Sequence, residues 1–463
     1  MASPAPAAAP KRRGMLNALG LHRPELRAWA MYDWAISAFS TTIMVAVFPI
    51  FFIRVAADGD AVGGSQWWGY ANSLAILIVA LLAPILGAIA DFSAGKKRFL
   101  GAFTGLGVAA VAGMWFIHQG DLVLAAALYL VASIAASGSA VFYEALLPHI
   151  AGPDEVDRVS TAGYALGYVG GGLLLAVNLA WIQKPAMFGI PAGSFPARLS
   201  FVSVAVWWLV FSIPLFRRVS EPPRAIEPDE TPTASPARMA FVRLRETFHE
   251  LRGYRNAFLF LLAFLLYNDG IATIQKMAAP YATELGIPEG ITILAILLVQ
   301  FVGIPFAFAF GALAGRIGAK RSILLGLAFY ACISIFGFFI GTLPGEDRAR
   351  AFIILALMVG TVQGGTQALS RSLFATMIPR HKSGEFFGFY SVFSKFAGIF
   401  GPLLFAFMIG RTGSGRYGIL SVIGFFIVGG TLLLFVDPVA GERAAREAEA
   451  AVRILPADDP VNG

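Results

Sequence analysis

Twelve apolar runs, most near the length needed for a helix to cross a bilayer, organise this sequence. They cover about 29–53, 66–90, 99–118, 121–147, 161–183, 199–216, 255–282, 290–314, 322–341, 351–376, 385–410 and 416–436. The expectation is an all-α polytopic membrane protein with twelve transmembrane helices. Only 14% of residues are charged, against about 25% in soluble proteins, which leaves little room for a water-soluble surface.

A charged, Pro-rich stretch at 217–254 separates the runs into six and six. The expected organisation is a tail at 1–28, a six-helix half at 29–216, a linker at 217–254, a second half at 255–436 and a tail at 437–463. Within the linker, residues 220–236 read as a flexible spacer. Phe241, Leu244, Phe248 and Leu251 then recur at helical spacing against Arg243, Arg245 and Arg252, the pattern of a basic amphipathic helix lying on a membrane face.

Of the 35 Lys and Arg residues, 25 fall in segments on the side of the termini, 7 on the opposite side and 3 inside apolar runs. By the positive-inside rule both termini are cytoplasmic, in a multi-pass protein of the cell (inner) membrane. The same rule accounts for the basic balance without a nucleic-acid partner. The basic N-terminal tail does not read as a secretory signal, because Asn17, His22 and Pro24 interrupt the apolar stretch such a signal needs. A single cysteine, Cys332, excludes an intrachain disulfide.

The halves repeat one another. Gly87–Arg98 (GAIADFSAGKKR) returns as Gly311–Arg321 (GALAGRIGAKR), each between the second and third runs of its half. Tyr32-Asp33 returns as Tyr267-Asn268-Asp269, and Pro148, expected to end the fourth helix, returns as Pro379 after the tenth. Two pseudo-symmetric six-helix halves with a site between them are a transporter architecture.

The repeated turn resembles the signature loop of the major facilitator superfamily. More specific are Tyr32-Asp33-Trp34-Ala35, Arg158-Val159-Ser160 followed by Gly163 to Gly172, Gln367-Ala368-Leu369-Ser370-Arg371-Ser372, and Glu385-Phe386-Phe387-Gly388. Together they resemble the UMF branch, which is similar to the vacuolar amino-acid effluxers of autophagy, from about Trp29 to Val436. The resemblance implies a conformational latch built from Gly87, Asp91, Gly95, Lys97 and Arg98, with Asp91 meeting the free N–H groups where the eleventh helix starts. Ile36 and Gly315 depart from the pattern. Gly315 stands where the repeated loop would carry its second aspartate, so a second latch is expected to be missing.

Six charged residues lie inside apolar runs: Asp33, Glu144, Asp269, Lys276, Arg371 and Lys395. Such groups are costly in lipid and normally face a polar interior or a substrate path. The resemblance implies that helices 1, 4, 7 and 10 line a central cavity, which places five of the six on lining helices. The first half offers carboxylates and the second mostly cations, a polarity suited to a zwitterion. Asn268, Gln363 and Gln367 share helices with these charges and join the candidate substrate-binding set.

An intramembrane enzyme would need a catalytic constellation, and the five histidines lie at loops or helix ends. A channel would show pore rings or a filter loop. The remaining class is a secondary active transporter moving a small polar solute by alternating access. Amino-acid efflux is the leading expectation, and a drug or organic-anion exporter of the same superfamily is the alternative. No cofactor or metal is expected. A proton gradient is a candidate driving force, and the expected working unit is a monomer in lipid.

Overall fold

The computed structural model describes residues 15–59, 95–226, 251, 253–450 and 453–455, with individual positions between 67 and 87. Among these residues ten helices are long and apolar enough to span a membrane, or eleven with the bent first one. The second run is described only at single positions. Asp91 and the linker's amphipathic stretch, apart from Leu251, lie outside the described residues.

The first half contains α1 (Pro24–Ala38), α2 (Lys96–Gly113), α3 (Leu122–Ile150), α4 (Val156–Gln183) and α5 (Phe195–Arg218). The helix of α1 starts five residues before the expected boundary, because Pro24 sits at its first turn, where no N–H is needed. Beyond Ala38 the chain continues in wide π-helical turns at Phe39–Ala46 and Phe52–Ala56, with a bend of 40°. Thr41 helps to loosen the ladder: its Oγ1 donates to Ser37 O and to Gly171 O on α4, both at 3.1 Å.

The second half contains α6 (Arg255–Glu284), α7 (Glu289–Ile317), α8 (Ala319–Ile340) and α9 (Gly345–Thr376). After it come α10 (Ser383–Phe396), α11 (Phe400–Thr412), α12 (Gly415–Ser421), α13 (Ile423–Leu434) and α14 (Pro438–Ala450).

Three expectations need correction. The fourth helix does not stop at Pro148 but runs through it to Ile150, since a proline in the last turn removes only one helical hydrogen bond. The eleventh run is two helices, α10 and α11, broken around Gly398, which adopts φ +96°. The stretch expected as a flexible spacer contains a strand: β1 (Arg224–Ile226) pairs antiparallel with β2 (Arg453–Leu455) of the C-terminal tail, in which α14 packs Gly441 against Met377 and Asn256.

The fifth run's glycines set how closely its helix packs. A Cβ at Gly163, Gly167, Gly170 or Gly171 would run into Asp33, Ser37, Trp34 or Thr41 of the first span. Their absence lets α4 lie directly on α1, as small residues do at membrane helix interfaces. The opposite side of α4 faces the second half, where Thr161 meets Gly311 of α7 and Tyr168 meets Gly303 and Gly364.

Candidate substrate site

A cavity of about 430 Å³ lies between the halves. It is lined by the first span from Asp33 to Ala46, by α3, α4, α7 and α9, by Gln275 of α6 and by Lys395 of α10. Of the residues expected at the site, Asp33, Glu144, Gln363, Gln367, Arg371 and Lys395 all line it. Asn268, Asp269 and Lys276 do not, and their placement is a correction to the expected lining set. Asp269 and Lys276 share a helix face that turns onto the break between α10 and α11, while Gln275 takes the cavity side.

At the floor, Arg371 is 2% exposed and reaches across to the first half. Its Nη1 and Nη2 each donate to Asp33 Oδ2 at 3.2 Å, Nε donates to Ser160 Oγ and Nη2 also to Ser160 O, both at 2.9 Å. Four of its five N–H groups are therefore engaged. Aromatic faces enclose the guanidinium: the rings of Tyr164 and Trp29 lie 4.5 and 4.8 Å from it. Such a planar cation is well suited to this mixture of several directed hydrogen bonds and stacking.

Asp33 is the accessible member of the pair, with 15% of its side chain exposed. Tyr143 also donates to Asp33 Oδ2, at 2.8 Å. Glu144 and Lys395 face the same space from opposite halves. Uncharged polar groups line the rest, including Ser37, Ser40, Ser137, Gln275, Gln300, Gln363 and Gln367.

Below Arg371, toward the termini, hydrogen bonds join the halves. Ser160 Oγ donates to Ala368 O at 2.8 Å, and Ser372 Oγ donates to Asp157 Oδ1. Ser383 Oγ donates to Ala145 O at 2.9 Å and lies 3.2 Å from His149 Nε2. Gly87 packs so closely on Gly384 and Glu385 that a Cβ there could not be accommodated. Here the cavity ends, whereas away from the termini it reaches Ala46 and Ile296.

Of the latch residues, Gly87 touches the start of α10, and Gly95 precedes the first turn of α2. The Lys97 backbone N–H bonds the Glu221 carboxylate, and its Nζ donates to Phe216 O, so Lys97 braces the first half internally. Arg98 sits exposed on α2. Burial raises the Glu221 carboxyl above the usual range, with the Lys97 N–H acting in the opposite direction.

Sequence reasoning did not single out Ser160, Tyr143, Trp29, Tyr164, Asp157 or Ser372. The signal was present. Ser160, Tyr164 and Ser372 lie inside the very stretches that carry the family resemblance, and in the fold those stretches meet at the closed end.

The model of a family described as "Vacuole effluxer Atg22 like" matches residues 67–449. The MFS-type transporter YxiO of Bacillus subtilis is 37% identical over 419 residues, covering 88% of this chain and 94% of that one. Autophagy-related protein 22 of Yarrowia lipolytica is 30% identical over 315 residues, covering 63% of this chain and 52% of the relative. Among solved structures, the proton:xylose symporter XylE superposes with a TM-score of 0.67 at 13% identity, covering 89% of this chain and 95% of that one. A bacterial homologue of ferroportin in an outward-facing state superposes with a TM-score of 0.64 at 14% identity, covering 89% and 98%. The twelve-helix, two-half architecture is thus the major facilitator fold, and the chain belongs to the Atg22-like vacuole effluxer family of major facilitator transporters.

Proposed function

We propose that this transporter exports a small zwitterion, of which an amino acid is the simplest example, and that Asp33 and Arg371 form its switch. The observation carrying this reading is that one ion pair is both the floor of the cavity and a bond between the halves. A substrate ammonium has Asp33 and Glu144 to meet, and a substrate carboxylate has Lys395. Gln275, Gln300, Gln363 and Gln367 supply hydrogen bonds that fix orientation without adding net charge.

Arg371 enters the cycle as a competitor. While its donors are spent on Asp33 and Ser160 it cannot clamp a carboxylate. When a substrate ammonium occupies Asp33, the guanidinium loses its counter-ion and the closed end loses its central bond. The reverse exchange, Arg371 returning to Asp33, displaces the ammonium and promotes release. With cytoplasmic termini, the present conformation is the one that releases outward. Export driven by a proton gradient needs a carboxylate that is protonated in one conformation, and Glu144, which lines the cavity, is our candidate.

Family and fold support transport, and outward release is part of the proposal. Ligand-dependent melting of the purified protein tests the substrate class. A ligand at 100 times its Kd adds about 2.7 kcal/mol, so a panel of neutral amino acids should raise Tm while organic anions without an amine should not. Stabilisation by the anions alone would favour the organic-anion exporter instead.

A further inference from the structure

The two charges of α6 that do not face the cavity hold something else. Asp269 is fully buried, and its Oδ1 accepts from the N–H groups of Gly398 at 2.8 Å and Gly401 at 2.9 Å, while Oδ2 accepts from Phe400 at 3.1 Å. It therefore caps the N-terminus of α11, where free N–H groups and the helix dipole favour an anion. On the other side of the same glycine, Lys276 Nζ donates to Gly398 O at 3.1 Å.

The two side chains do not neutralise one another directly; each takes the opposite pole of the Gly398 peptide region. Any side chain at Gly398 would be strained. The backbone is left-handed at φ +96°, and a Cβ at Gly398 would lie 2.7 Å from Lys276 Nζ. Gly401 is equally constrained, since its Cβ would collide with Thr273 Oγ1.

Two functional points of the eleventh span lie in α10, on the same side of the break. Lys395, three residues before Gly398, lines the cavity. At the far end of α10, about 21 Å away at 1.5 Å per residue, Ser383 bonds Ala145 and Gly384 packs on Gly87. An uninterrupted helix would fix these ends to α11. A pinned break lets α10 turn as a unit.

We propose that Asp269 and Lys276 are positioning residues for transport, which pin the break in the eleventh span so that Lys395 is held in the cavity and α10 pivots about Gly398. The pinned break itself rests on geometry alone. Only the role of Lys395 in substrate binding rests on the proposed function. Charge order also matters, because the carboxylate must meet N–H groups and the ammonium must meet a carbonyl.

The test measures the aim of α10 in the absence of any substrate. The full chain, with Cys332→Ser, is reconstituted in liposomes carrying either Lys395→Cys or Ser137→Cys, the second being a cavity position on the first half. The rate of modification by a membrane-impermeant methanethiosulfonate is then read. Asp269→Asn is expected to slow Lys395→Cys about fivefold. Asp269→Ala and the swapped double variant Asp269→Lys/Lys276→Asp should slow it at least tenfold, and Ser137→Cys should change less than twofold throughout.

An unchanged Lys395→Cys rate in Asp269→Asn overturns the proposal even if the alanine variant fails to assemble. So does restoration of the parent rate by the swap, which would mean that the pair needs only one charge of each sign. A parallel fall at Ser137→Cys would mean general loss of structure and also overturns it. If no amino acid stabilises the parent but the labelling pattern appears, the substrate reading fails and the pivot stands.

Discussion

The guanidinium of Arg371 and the carboxylate of Asp33 meet at 3.2 Å across the boundary between the two halves, with Ser160 holding the arginine from a second helix. Removing one partner of such a buried pair costs about 3–5 kcal/mol, mostly because the other charge is left uncompensated. Here that cost falls on the conformation with a closed terminal side. Asp33→Asn and Arg371→Lys are therefore expected to open it, the lysine variant because a single ammonium cannot reproduce four directed bonds. Labelling of a cysteine at Ser160, which is fully buried, should rise more than tenfold in Asp33→Asn when reagent is added from the terminal side. An unchanged rate would show that the pair does not hold the halves together.

The α4 glycines give a packing test. A Cβ at Gly163 would collide with Asp33 Oδ2 and crowd Trp29 and Arg371, whereas one at Gly105 meets nothing within 4 Å. Overpacking of this kind costs about 1–3 kcal/mol. Gly163→Ala should lower Tm and loosen the closed end, while Gly105→Ala should leave both unchanged. Equal behaviour of the two variants would refute the close-approach role.

Gly315 offers a gain of contact. A Cβ there would lie 3.4 Å from Arg158 Nη2 on the other half, so Gly315→Asp should create the second inter-half bond that the repeat lacks. An exposed pair contributes up to about 1 kcal/mol, equivalent to about fivefold in the conformational equilibrium. Slower labelling from the terminal side is the expected readout. Faster labelling would mean that the carboxylate disrupts the contact instead.

Much of the fold is legible in the sequence because lipid leaves few choices: run length sets the helices, and the repeat of Gly87–Arg98 at Gly311–Arg321 sets the two halves. The site is legible to the extent that charges in apolar runs announce themselves. Asp33, Glu144, Arg371 and Lys395 stand out on that ground, and they share one cavity. Asp269 and Lys276 carry the same signal for a different reason. Spacing puts them on one face of α6 but does not tell which neighbour that face meets, nor that Gly398 breaks the neighbouring helix. Ser160 was hidden because a serine in a membrane helix is unremarkable until an arginine from the other half is seen bonded to it.

The substrate contacts separate by kinetics. Glu144→Gln and Lys395→Gln keep size and hydrogen-bonding capacity while removing charge. If both meet the zwitterion directly, each should raise KM at least tenfold with a smaller effect on the maximal rate, and truncating the amine or the carboxylate of the substrate should abolish the corresponding effect. A fall in maximal rate at unchanged KM would place both residues in the conformational change rather than in binding.

The central claim is that the Asp33–Arg371 pair operates an amino-acid carrier. The most direct measurement is uptake of labelled amino acids into proteoliposomes, with and without a pH gradient, for the parent and Arg371→Ala. The parent is expected to show saturable uptake that the gradient accelerates, and Arg371→Ala at least a tenfold loss. Equal uptake by Arg371→Ala and the parent would contradict the claim.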